Sequence, residues 1–211
     1  MPLSEFSLIE RFFAAPAARH GDVAVGIGDD AAVVDVPVGQ QLVVAADTLV
    51  AGVHFPETAT AADIGHKALA VNLSDLAAMG ARPAWATLAL TLPAADAAWL
   101  EAFAHGFFAL ADRCGVALIG GDTTRGPLTV TVQILGLVPK DAALLRSGAR
   151  PGDRIYVSGT LGDAALALQR LSGAVIAGGN ARTHLETHLH RPEPRLALGA
   201  RLRELARAAI D

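Results

Sequence analysis

The residues in this sequence best suited to chemistry are aspartates placed where strands should end. Of its 21 acidic residues, 14 are Asp. Asp29 and Asp30 follow one strand-like run in Gly26-Ile-Gly28-Asp29-Asp30-Ala31, and Asp47 closes another in Val43-Val-Ala-Ala-Asp47-Thr48. Asp122 follows a third, in Leu118-Ile-Gly-Gly-Asp122-Thr123-Thr124. Asp75 differs, because it lies on a helical pattern with Asn72 one turn earlier and Leu69, Leu76 and Met79 around it. A carboxylate on a mostly apolar face needs a partner. Each Asp alone reads as a turn or a cap. As a set they invite electrostatics, since like charges ~4 Å apart repel by about 1 kcal/mol in water and about 4 at an effective dielectric near 20. Short carboxylates with neighbouring carbonyls are the hard oxygen donors that Mg²⁺ prefers. Their convergence on a Mg²⁺ site facing phosphates is an expectation.

Other constellations are weaker. Gly26 to Ala31 fits the loose dinucleotide pattern G-x-G-x-x-G/A, but that loop must open a helix and face a pyrophosphate. Here two carboxylates occupy the loop and Ala31-Ala-Val-Val-Asp-Val reads as a strand. There is no G-x-x-x-x-G-K-[ST] and no G-x-S-x-G, so neither a Walker site nor a serine nucleophile is expected. His184, His188 and His190 fall in a stretch read as loop-prone, where a solvated surface run is the plain reading and zinc affinity the lesser alternative. His54 has apolar flanks and by itself reads as a packed histidine. Arg146 is open between a surface residue and a phosphate fork.

These residues need a scaffold. The pattern predicts a helix over 3–14, strands over 23–28, 31–36 and 42–46, and a helix over 60–79. Thr60 and Asp63 make a capping-box-like start, Asp63 and Lys67 pair at i, i+4, and Gly80 suits the position after the end. A strand over 84–92 precedes a helix whose Trp99, Phe103, Phe107, Leu110 and Cys114 form a core-facing stripe ending at Gly115. Strands over 116–119 and 128–138 follow. Residues 139–153 read as a linker into a strand over 154–158, a helix over 163–171, a loop over 172–183 and a helix over 193–208. The expected class is α/β with a mixed sheet, divided into a first domain over 1–138 and the beginning of a second over 139–211.

Composition narrows the function classes. The 211 residues are 52% hydrophobic and 5% aromatic, so Ala, Val and Leu must fill the core. A net charge of −4 argues against nucleic-acid binding. Cys114 is the only cysteine, which excludes an intramolecular disulfide and a Cys-rich zinc site. The first residues lack a secretion-signal pattern, and no apolar run reaches the ~20 residues that span a bilayer. A cytoplasmic protein without membrane or nucleic-acid partners is expected.

The segments GIGDDAAVV, ADTLVAGVHF, GHKALAVNLSDLAAMGARP, LIGGDTT and LLRSGARPGD, in this order, resemble the thiamine-monophosphate kinase family of the aminoimidazole ribonucleotide synthetase-like superfamily. The resemblance implies phosphoryl transfer from ATP to thiamine monophosphate with Mg²⁺ by direct in-line attack, without a covalent protein nucleophile. It also implies a homodimer whose N-terminal strands pair. By resemblance Asp30, Asp47, Asp75 and Asp122 are Mg²⁺ ligands, Gly121, Asp122 and Arg146 contact ATP, and His54 contacts the thiamine phosphate. Asp29 ranks below them. Ala45 and Ala46 stand where relatives often carry Ser or Thr, which removes a hydroxyl ligand. Asp211 resembles the first Asp of an Asp-x-Ser-Asp-Gly motif, a further metal ligand, and the family continues beyond it. The expectation drawn from that is a chain truncated within the C-terminal domain, with little turnover by itself. The alternatives are a sibling ATP-dependent enzyme acting on another substrate and a non-catalytic nucleotide-binding dimerisation module.

Overall fold

The computed structural model describes residues 5–17, 20–176 and 178–211. A four-stranded sheet carries the fold. Strands β3 (Gln40–Val50), β4 (Arg82–Leu92), β5 (Ala117–Arg125) and β6 (Thr129–Pro139) lie in the order β3-β6-β4-β5. β6 is antiparallel to β3 and β4, whereas β4 and β5 are parallel, so the sheet is mixed. The crossover between the parallel pair is helix α3 (Ala97–Cys114). A small antiparallel ribbon, β1 (Val23–Val25) with β2 (Val33–Val34), covers part of the opposite face over Trp85, Ile119 and Leu137.

The main core lies between the sheet and the pair formed by α2 (Ala61–Ala78) and α3. α2 starts as its sequence demands. The Thr60 hydroxyl oxygen accepts from the Asp63 amide at 3.2 Å, and Gly80 takes the left-handed conformation with φ 68° just past the last turn. α3 is capped by Asp96, which accepts from Ala98 and Trp99, and Gly115 closes it at φ 67°. The aromatic stripe holds, with Phe103 and Phe107 fully buried and Trp99 stacked on Phe103 at 5.2 Å. Two glycines let the helices touch. A Cβ at Gly65 would stand 2.2 Å from the Phe103 carbonyl oxygen, and one at Gly106 would stand 2.0 Å from that of Ala62.

Several expectations need correction. The N-terminal helix is split into α1 (Glu5–Ile9) and a π-helical turn over Glu10–Ala14, and Leu3, its expected start, lies outside the described residues. The expected strand over 154–158 does not form. Its backbone finds no strand partner among the described residues, and Ile155, Tyr156 and Val157 are exposed. Residues 163–171 form helix α4 (Asp163–Leu171) as expected. The stretch 172–183, read as a loop, instead enters helix α5 (Gly179–His190) at Gly179, while Ala177 lies outside the described residues. A last helix, α6 (Leu196–Leu205), packs on α2. Asp63 pairs with Arg191 rather than Lys67, whose ammonium donates to the His54 carbonyl at 3.0 Å. Among the described residues, no helix is long and apolar enough to cross a membrane.

Candidate active site

The site is built where the end of α2 meets β3. Asn72 is fully buried on the inner face of α2, and both ends of its amide are used. Its Nδ2 donates to the Ala68 carbonyl at 2.9 Å, and its Oδ1 accepts from the Asp47 backbone N–H at 3.0 Å. This second bond satisfies an amide of the edge strand and fixes Asp47 against the helix. One turn on, Asp75 is half-buried.

Two further segments complete the wall. The Leu144 N–H donates to the Met79 carbonyl at 3.1 Å, which ties the following 3₁₀ turn, Arg146–Gly148, to the end of α2. The Arg203 guanidinium donates to the Gly80 carbonyl, anchoring α6, and the chain after α6 returns to place Asp211 where the Ser74 hydroxyl donates to it. Together they enclose a cavity of about 250 Å³ lined by Val43, Ala45, Asp75, Met79, Arg146 and Asp211.

Charge explains why this cavity stands out. Burial pushes the Asp75 carboxyl above its ordinary range, the carboxylates of Asp47 and Asp211 push it further, and only the Arg146 guanidinium opposes them. Asp75 thus feels two other carboxylates and one guanidinium. The carboxylates' donors are all hard oxygens, a set that fits Mg²⁺, which binds through one or two carboxylates while keeping waters and substrate phosphates. β3 runs on past the expected end at 46 to Val50, so Asp47 lies within the strand, and Ala45 lines the cavity with a methyl group and no hydroxyl.

The other expected site residues lie elsewhere. Asp47, Val132, Leu88 and Gly121 occupy one row across the sheet. Asp47 is thus on one edge strand and Gly121–Asp122 on the other, about 14 Å away along the sheet at the usual strand spacing. Gly121 has φ 151°, and a Cβ there would fall 1.8 Å from the Leu88 carbonyl oxygen, so β5 can hug β4 only with glycine at this position. Asp30 is exposed, and its N–H donates to Asp29 Oδ1 at 2.8 Å, the local turn bond that an isolated Asp often makes. The segment then enters strand β2 rather than a helix, which removes the dinucleotide-loop reading.

His54 is exposed, not packed. Its Nδ1 accepts from the Val50 N–H at 3.0 Å, which assigns the neutral tautomer with the proton on Nε2. Its carbonyl binds Lys67, whose ammonium is held below its ordinary pKa by burial. Sequence reading passed over Ser74. Its only signal is a position one residue before Asp75, and its partner lies 137 residues away.

The family described as AIR synthase related protein, N-terminal domain, matches residues 28–138. A thiamine-monophosphate kinase of Salmonella typhimurium is 53% identical over the whole chain, which spans 65% of that relative's length. The crystal structure of a thiamine-monophosphate kinase from Stenotrophomonas maltophilia K279a superposes with a TM-score of 0.86 at 56% identity, covering 99% of this chain and 67% of that one. AaThiL complexed with AMPPCP and TMP superposes with a TM-score of 0.75 at 29% identity, covering 99% of this chain and 66% of that one. A domain match over more than half of the sequence and relatives aligned along all of it place the chain in the AIR synthase related family and, within it, in the thiamine-monophosphate kinase family.

Proposed function

We propose that the protein carrying this chain transfers the γ-phosphoryl group of ATP to thiamine monophosphate, giving thiamine diphosphate and ADP. The observation that carries this reading is the cavity lined by Asp75, Asp211 and Arg146, with Asp47 near enough to act on Asp75, because an excess of hard carboxylates beside one guanidinium suits a cation-bridged polyphosphate. The names of the relatives supply the acceptor, and the AMPPCP and TMP in the AaThiL complex agree with it.

Asp47, Asp75 and Asp211 would hold Mg²⁺, which neutralises charge on the phosphates when bound. Arg146 orients the nucleotide by its planar donors, and His54 presents Nε2–H to the thiamine phosphate. Asp30, Gly121 and Asp122 serve a further ion or another part of the nucleotide, since Asp122 and Asp47 sit on opposite edges of the sheet. The acceptor phosphate oxygen attacks the γ-phosphorus in line as the bond to the ADP oxygen breaks, so the chain's task is positioning and electrostatics. Residues 1–138 form the nucleotide and dimerisation domain in this proposal, and residues 139–211 belong to a second unit. A cytoplasmic homodimer is included, supported by β3, an edge strand whose Leu42 and Val44 remain 42% and 49% exposed.

The test is transfer of labelled γ-phosphate from ATP to thiamine monophosphate by the gene product that carries this chain. Label should appear in thiamine diphosphate only with Mg²⁺, and Asp75→Asn should lower kcat by at least ~10²-fold, as expected for a lost electrostatic contact in phosphoryl transfer. Transfer to a different acceptor, or equal turnover by Asp75→Asn, would overturn the reading.

A further inference from the structure

A second group of ligand-type side chains lies far from the carboxylate cavity, between α4 and α5. Asp163 is the first residue of α4, where the Thr160 hydroxyl donates to its Oδ2. His184 and His188 stand one turn apart on α5 and so share a face. His184 Nε2 donates to Asp163 Oδ2 at 3.1 Å, so a metal ion would take the place of that proton, and His188 Nε2 is 3.9 Å from the same oxygen. One ligand atom from each residue lies within 4.8 Å of the other two, and among the described residues no other group of three does so.

The hydrogen bonds orient these groups toward one point. His188 Nδ1 lies 2.9 Å from the His184 carbonyl oxygen, and because a carbonyl only accepts, Nδ1 is the donor. In the neutral ring the Nε2 lone pair therefore faces the Asp163 carboxylate. At 3.9 Å, two acceptors facing each other are relieved either by a proton on the ring or by a metal ion between them. A backbone carbonyl holding the distal nitrogen is also the usual outer support of a metal-ligating histidine. Below the trio, Ala167, Leu185 and Leu189 form their own small buried cluster, which fixes α4 against α5. Above it the imidazoles are open to solvent, leaving room for a water ligand.

We infer that Asp163, His184 and His188 bind a divalent transition-metal ion, with Zn²⁺ the best match, that clamps α4 to α5. Two imidazole nitrogens and one carboxylate oxygen suit Zn²⁺, and nitrogen donors disfavour Mg²⁺. Tetrahedral ligands about 2.1 Å from an ion are about 3.4 Å apart, so closing the present trio takes side-chain rotations of about 1 Å. The site is independent of the proposed phosphotransfer and survives its failure.

The experiment is a titration of the chelator-stripped full chain with Zn²⁺, and separately with Co²⁺, in buffer containing Mg²⁺. One ion per chain should bind with a micromolar or lower Kd, and Co²⁺ should show the intense visible absorption of a four-coordinate site. His184→Ala and His188→Ala should each weaken binding at least tenfold, and circular dichroism should show the helices retained. His190→Ala, outside the trio, should bind as the parent does. Absence of saturable binding, or binding unchanged in the double variant His184→Ala/His188→Ala, would overturn the assignment.

Discussion

Asp75 is where stability and function pull apart. Its carboxyl is raised above 3.8 by burial and by Asp47 and Asp211, with Arg146 opposing. A raised carboxyl pKa means that the folded state favours the protonated form. The associated stability is present at low pH and is lost as pH rises through the folded value. At pH 7 the ionised side chain therefore strains the site, and Asp75→Asn, which keeps the shape and removes the charge, should raise Tm by roughly 2–4 °C. The gain should shrink as pH falls toward 3.8. Adding Mg-ATP should reverse the order, stabilising the parent by mass action and leaving Asp75→Asn nearly unmoved. A variant less stable than the parent at pH 7 without ligand would show that Asp75 serves the fold rather than the site. This is the trade expected where like charges are gathered for a ligand.

At the level of elements, the α2–α3 contact is the tightest constraint on the scaffold. Gly65 and Gly106 sit opposite backbone carbonyls, and a Cβ at either would stand at 2.2 Å or 2.0 Å from oxygen, a distance side chains cannot adopt. Gly106→Ala must push the helices apart, and overpacking of this kind costs at least ~2 kcal/mol, or roughly 4–8 °C in Tm. Gly178→Ala, with nothing within 4 Å of the added carbon and no positive φ, is the matched control and should change Tm little. Equal Tm values for the two would disprove the close approach. These two helices were legible beforehand because their signals are local: a Thr60 cap, a glycine just past each end and a periodic aromatic stripe. Other features were not. α5 is polar, with Arg182, Thr183 and Glu186 along it, and its Gly-rich approach outweighed a weak helical pattern that only Leu185 and Leu189 bury. The run 154–158 has strand composition, but a strand also needs a partner. Asp75 was recognisable as a carboxylate on an apolar face. That Asp122 belongs to the far edge depends on strand order, which no local pattern encodes.

For the whole molecule, the joint that matters is the short segment between α5 and α6, because α6 delivers Asp211 to Asp75. Three contacts hold that segment to the α2–α3 layer. Arg191 pairs with Asp63, His66 Nε2 donates to the Pro192 carbonyl at 3.1 Å, and Arg113 Nη2 meets Glu193 Oε2 at 2.7 Å. The last pair is exposed and worth little. The other two respond to acid in sequence. Burial depresses the His66 pKa below 6.5, more than its carbonyl bond restores it, with Arg191 and Arg113 adding to the fall. Folding thus favours neutral His66, and this stability is present above 6.5 and lost as pH drops through the folded value. Asp63 behaves likewise at lower pH. Burial raises its pKa, yet hydrogen bonds from Arg191 and Thr60 overcome that, so its contribution persists until pH falls below 3.8. As pH falls below 6.5, only the histidine of these two acts. Hydrogen-exchange protection factors in α6 should therefore fall over that range while those of α3 and β4 hold, with the local free energy of opening tracking the loss. His66→Gln should remove the pH dependence, since an amide can keep a donor near Pro192 without titrating. Uniform loss of protection across both layers, or an unchanged slope in the variant, would place the acid response elsewhere. If the joint loosens as expected, Asp211 leaves the cavity first, and affinity for Mg-ATP should decline in the same pH window that frees α6.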